Sequence, residues 1–138
     1  MKLLLVLLFA TFAVYAAVPG SPGSFDEQAF SAAMKTIMPT QGSLRKNIEA
    51  KNADGVKADA AKLEAIFKTS EEFWTEKKAD DAIGWSKQAK AGAAEIGKLA
   101  GAGEWDKIPD AQKKVGSTCS ACHTAHREGS RETGYKIK

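Results

Sequence analysis

Five consecutive residues near the end of the chain carry most of its chemistry: Cys119, Ser120, Ala121, Cys122 and His123. Two thiols three residues apart reach the two vinyl groups of a porphyrin, and the imidazole next in sequence turns beneath the ring to bind its iron. The spacing is that of one covalently attached haem c, with Cys119 and Cys122 as the thioether positions and His123 as the proximal iron ligand. These are the only 2 cysteines in 138 residues. A disulfide between them would close too small a loop to remove much chain entropy, so their purpose is chemical.

Two other chemistries could use the same residues. A thioredoxin-like dithiol sits at the start of a helix after a strand, where the helix dipole lowers a thiol pKa. Here the pair falls near the end of a helix in a chain with no strand pattern. Zinc could draw on Cys119, Cys122, His123 and His126, but ligands packed so closely along one helix do not readily surround a metal tetrahedrally. His126 lies one turn beyond His123 and does not reach the far face of a haem held from this side, so it reads as a tuning or solvated histidine. The sixth iron position decides function. A thioether there gives the Met/His coordination of electron carriers, whereas an open position leaves iron to small gases. Met34 lies on a core stripe and Met38 follows one turn later, although a core methionine ordinarily fills gaps.

A set of amphipathic helices must position these residues. Lys2, an apolar run from Leu3 to Val14, and Val14, Tyr15 and Ala16 at the usual cleavage positions read as a signal peptide over residues 1–17, cut after Ala16 or Ala17, with export to the periplasm as the consequence. The run is short for a membrane span, and no second one exists. Residues 18–24 are rich in Pro, Gly and Ser and read as a disordered start. Ser24 and Glu27 then form a capping box. Phe30, Met34, Ile37, Gln41, Leu44 and Ile48 share one helical stripe, in which Pro39 predicts a kink or a break that divides the segment near Met38. Asp54 is the expected cap of a second helix bearing Val56, Ala60, Leu63 and Phe67 and ending near Lys68. Thr69 and Glu72 suggest a separate short connector over 70–78. A third stripe holds Ala82, Trp85, Ala89, Ala93, Ile96 and Leu99, ending at Gly101 and Gly103. Its alanines permit close helix approach or leave room for a flat group. Asp106 is the expected cap of a fourth helix, with Pro109 in its first turn and Ile108, Ala111, Val115, Cys119 and Cys122 on one face. That helix frays by Gly129, and residues 130–138 form a polar tail.

No useful stretch alternates with period two, so the fold class is all-α, an antiparallel four-helix bundle spanning residues 25–129 with covalently bound haem. Charge adds one exclusion. The chain has 20 basic and 17 acidic residues, and loss of Lys2 leaves 19 against 17, a formal +2. The charges are interspersed, as in Glu71, Glu72, Glu76, Lys77, Lys78, Asp80 and Asp81, so there is no basic field for nucleic acid.

Over about Phe25 to Arg127 the sequence resembles the cytochrome c′ family, including its low-spin members. The resemblance rests on the haem motif close to the C-terminus and its lead-in Lys114, Val115, Gly116, Ser117 and Thr118. It rests also on Arg127, four residues after His123, and on the segment Ala33, Met34, Lys35, Thr36 and Ile37. It implies an antiparallel bundle with haem near one end, often a homodimer through the first two helices, and Met34 as the distal residue. Family members with methionine there include both iron-bonded and unbonded cases. Four residues before the distal position the family commonly carries an arginine directed at a haem propionate; this chain has Phe30, with Lys35 a candidate substitute. Trp85 is the aromatic expected against the haem. The expectation is a periplasmic one-electron carrier that is not an enzyme and meets redox partner proteins. The alternative is a five-coordinate haem protein binding NO or CO.

Overall fold

The computed structural model describes residues 27–138, so the signal peptide, the 18–24 segment and the Ser24 cap lie outside the described residues. Four helices dominate: α1 (Glu27–Glu49), α2 (Ala53–Lys77), α3 (Asp80–Gly101) and α4 (Ile108–His126). Short turns reverse the chain between them. At one end of the bundle Glu27, opening α1, pairs with Lys77, closing α2, at 3.7 Å. At the same end Asp81, opening α3, bonds His126, closing α4. None of these helices is long and apolar enough to cross a membrane.

The stripes turn inward as their spacing dictates. Leu44, Val56, Leu63, Phe67, Ala93, Ile96, Ile108 and Val115 are among the residues of one buried cluster, to which all four helices contribute. A second, smaller cluster of Phe30, Phe73, Trp74 and Ala82 fills the end marked by His126. Glycines of α3 allow close approach to its neighbours. A Cβ on Gly92 would meet Val115 Cγ2 of α4 at 2.5 Å, and one on Gly97 would meet the Ala60 side chain of α2 at 3.2 Å.

Several boundaries differ from expectation. Pro39 does not divide α1, which is one continuous helix. The proline is exposed beside Met38, itself 73% exposed, while Phe30 and Leu44 seat the two halves in the core, so packing offsets the one lost backbone bond. The second helix does not end at Lys68, and no separate connector forms. Ser70, Phe73 and Trp74 continue its buried face, and the Ser70 hydroxyl meets that of Ser86 on α3 at 2.8 Å. Asn52, not Asp54, caps α2, its side chain accepting from the Gly55 N–H at 3.1 Å. Asp54 pairs with Lys57 instead. Asp106 lies in a 3-10 turn, Trp105–Lys107, that leads into α4.

The polar C-terminus is also structured. Arg127–Ser130 (β1) and Gly134–Ile137 (β2) form an antiparallel hairpin, with Gly129 and Gly134 at φ values that favour glycine. Ile137 packs on the second cluster, and the Lys138 N–H donates to the His126 carbonyl at 3.0 Å, covering the end of α4.

Candidate functional site

The haem-type motif occupies the last turns of α4, at the end of the bundle where the smaller cluster lies. Cys119 packs against the main cluster, and Cys122 packs against the smaller one. Met34 of α1 packs against both. The two sulfurs of α4 and the thioether of α1 therefore stand along one seam. Their helices do not close on each other there. α1 runs close to α2, α2 to α3 and α3 to α4, whereas the backbones of α1 and α4 make little close approach.

Both cysteines are free and half-buried. Burial pushes the Cys119 thiol up, and burial together with neighbouring Cys119 pushes Cys122 up to about 11. That is opposite to the lowered pKa of a reactive dithiol. A consequence can be measured on the folded, haem-free chain. At pH 8 a thiol of pKa about 11 is thiolate in about one part per thousand, against roughly one in ten at the ordinary value, since each unit is tenfold. Iodoacetamide is expected to modify Cys122 about 100-fold more slowly in the native chain than in urea, followed by peptide mass spectrometry. Equal rates would show that the last turns of α4 do not shelter the sulfur.

His123 is half-buried. Burial, with a smaller contribution from the Arg127 guanidinium, holds its pKa below the usual histidine value. The imidazole is thus neutral near pH 7, the form that donates a lone pair to a metal. Among the described residues no group of three His, Cys, Asp or Glu side chains stands together as a ligand set for a bare ion. That requirement does not apply to iron already held by a porphyrin.

His126 is partly exposed, as expected, but not merely solvated. Its side chain is 20% exposed, and its Nε2 lies 3.0 Å from both carboxylate oxygens of Asp81. Burial opposes ionisation of Asp81, but the hydrogen bonds from His126 and from the Ala82 N–H outweigh it and hold this carboxyl below its ordinary value. The His126 ring lies 4.8 Å from that of Trp74 and 6.1 Å from that of Trp85. Trp85 is accordingly half-buried beside the motif, packed on the smaller cluster.

Asp81 and Trp74 are the neighbours that sequence reasoning missed. The only signal for Asp81 was an acid in the first turn of α3, which antiparallel packing sets opposite the last turn of α4. Trp74 fell in the segment read as a connector.

Phe30 occupies the position where the resemblance places an arginine. Its ring stacks on Phe73 at 4.2 Å and meets Trp74 edge-on at 5.6 Å. Lys35 is exposed on α1. A hollow of about 350 Å³ lined by Lys68, Glu71, Glu72, Thr75, Glu76 and Lys90 includes none of the motif residues.

The residues present fit a covalently held haem. They supply two free thiols one turn apart, a neutral imidazole beside them and a seam where α1 and α4 stay apart. They also supply a buried indole N–H, that of Trp74, with no acceptor among the described residues. Comparison with family models, with curated proteins and with solved structures finds no match for this chain.

Proposed function

We propose that the chain is an exported c-type cytochrome of the cytochrome c′ kind, a one-electron carrier rather than an enzyme. The observation that carries this reading is the placement of Cys119, Cys122 and His123 within about one turn near the end of α4, with Met34 packed on the same clusters. Cys119 and Cys122 would hold the haem through thioether bonds, and His123 would ligate its iron. Bound haem c supplies an iron that takes up and releases one electron.

The protein's own residues do the rest. His123 presents a neutral imidazole because burial keeps it unprotonated. Met34 presents a thioether from a helix fixed on both of its halves. The apolar clusters exclude water from the neighbourhood of the iron, so little has to reorganise when its charge changes. Export through the signal peptide places the protein in the periplasm, where soluble redox proteins are its partners.

Mass and visible spectrum of the purified mature protein test the proposal together. The expected result is a mass above that of the polypeptide by one haem, with sharp low-spin bands in the reduced form that carbon monoxide leaves unchanged. A mass equal to that of the bare polypeptide overturns the reading. A broad high-spin spectrum that shifts under carbon monoxide keeps the haem but assigns gas binding in place of electron transfer.

A further inference from the structure

Trp74 is 3% exposed, and its Nε1 has no hydrogen-bond partner among the described residues. A buried donor left unmade costs about 1–3 kcal/mol, and buried tryptophans ordinarily find an acceptor. Here the ring is walled by other rings: Phe73 at 4.9 Å, Phe30 at 5.6 Å and His126 at 4.8 Å. The polar groups nearest in sequence are engaged elsewhere, Lys77 over the Phe73 ring and on Glu27, and the Thr75 hydroxyl on the Glu71 carbonyl.

The orphaned donor belongs to the cluster on which Met34, Trp85 and Cys122 pack. It also lies in the last turns of α2, at the end of the bundle where two lysines, Lys77 and Lys78, close that helix. What the position lacks is an acceptor, and a haem brings two carboxylates. We propose that Trp74 anchors the edge of the bound haem, its indole N–H donating to a propionate carboxylate, an inference that rests on the haem reading above. A hydrogen bond to an ionised acceptor is about twice as strong as a neutral one. An indole makes it without burying a cation beside the iron. The charged groups at this end are the Lys77 ammonium, 5.4 Å over the Phe73 ring and paired with Glu27, and the Asp81 carboxylate held by His126.

Trp74→Phe keeps an aromatic ring and removes the donor. In the loaded wild-type protein the midpoint potential, followed across pH, contains a step from propionate ionisation. In the variant that step moves up by about one pH unit, a tenfold change in the acid constant, because the charged form loses a hydrogen bond. Trp105→Phe, in the turn before α4 at the opposite end of the bundle, leaves the step in place.

A second measurement needs no variant. In the proton spectrum of the reduced wild-type protein, the Trp74 indole proton is protected from solvent exchange and shows a cross-peak to the propionate methylene protons. If Trp74→Phe does not fold, this spectrum decides alone: the cross-peak supports the assignment, and its absence overturns it. Loaded protein in which the step does not move also overturns the Trp74 assignment while leaving the haem reading intact. Protein that carries no visible haem band overturns both.

Discussion

Replacement of Cys119 and Cys122 together by alanine is expected to abolish covalent haem attachment entirely while leaving the helices folded. Each substitution deletes a single sulfur from a half-buried position at the margin of a cluster. By analogy with removal of one buried methylene, the loss of stability is about 0.5–1.5 kcal/mol per site, too little to unfold a typical domain. The chemical loss is complete, because no other cysteine exists to form a thioether. Haem staining of a denaturing gel reads the outcome directly, since only covalently held haem stays with the chain, and circular dichroism reports the helices. Each single variant retains one thioether and keeps its stain. A double variant that still stains would place the attachment on other residues and remove the basis of the proposed function.

Met34→Ala is expected to convert a low-spin reduced spectrum to a high-spin one and to open the iron to carbon monoxide. The thioether is the sulfur that α1 brings to the seam on which the motif lies. Truncation at Met34 also removes packing from two clusters at once, at about 2 kcal/mol for a half-buried site. Met34→Leu separates the two effects. It keeps the volume, with a cost usually under about 1.5 kcal/mol, yet supplies no sulfur. Both variants are expected to bind carbon monoxide, with the Met34→Leu protein close to wild type in thermal stability. If Met34→Leu keeps sharp low-spin bands, the sixth ligand is another group. If the wild type is already high-spin, Met34 fills space beside the iron and the gas-binding reading takes precedence.

The helices and their inner faces were legible in the sequence because they rest on periodicity. Phe30, Leu44, Val56, Leu63, Ala93, Ile96, Ile108 and Val115 repeat every three or four residues, and all of them are buried. What periodicity could not carry was pairing between distant residues. Ser70 looks like a polar interruption of α2 until Ser86, sixteen positions on, is seen to share its hydrogen bond. The real cap of α2 was hidden similarly. Asn52 and Asp54 are both good caps, and the choice falls to Asn52, whose amide also bonds Asn47 of α1 at 3.1 Å.

The break expected at Pro39 assumed that one missing backbone bond outweighs packing, whereas the proline faces solvent and the residues around it hold the core. The terminal hairpin has four-residue strands and no apolar alternation, so only its glycines hinted at turns. The motif itself is contiguous, and was for that reason the most legible part of the site. Its surroundings, Asp81 on His126 and the Trp74 ring beside it, are assembled across three helices, beyond the reach of any local pattern.

The first helix is fastened along one flank only, against α2. Its departure breaks one such helix interface, where loss of α2 or α3 would break two. The corner at Ala50 to Asn52, with Lys51 in the left-handed region, is the natural hinge for that opening. Both sulfurs and the imidazole would then face solvent on an otherwise intact three-helix scaffold. Such an opening is a local excursion rather than global unfolding, so the backbone amides of α1 are expected to exchange with solvent ahead of those of α2 and α3.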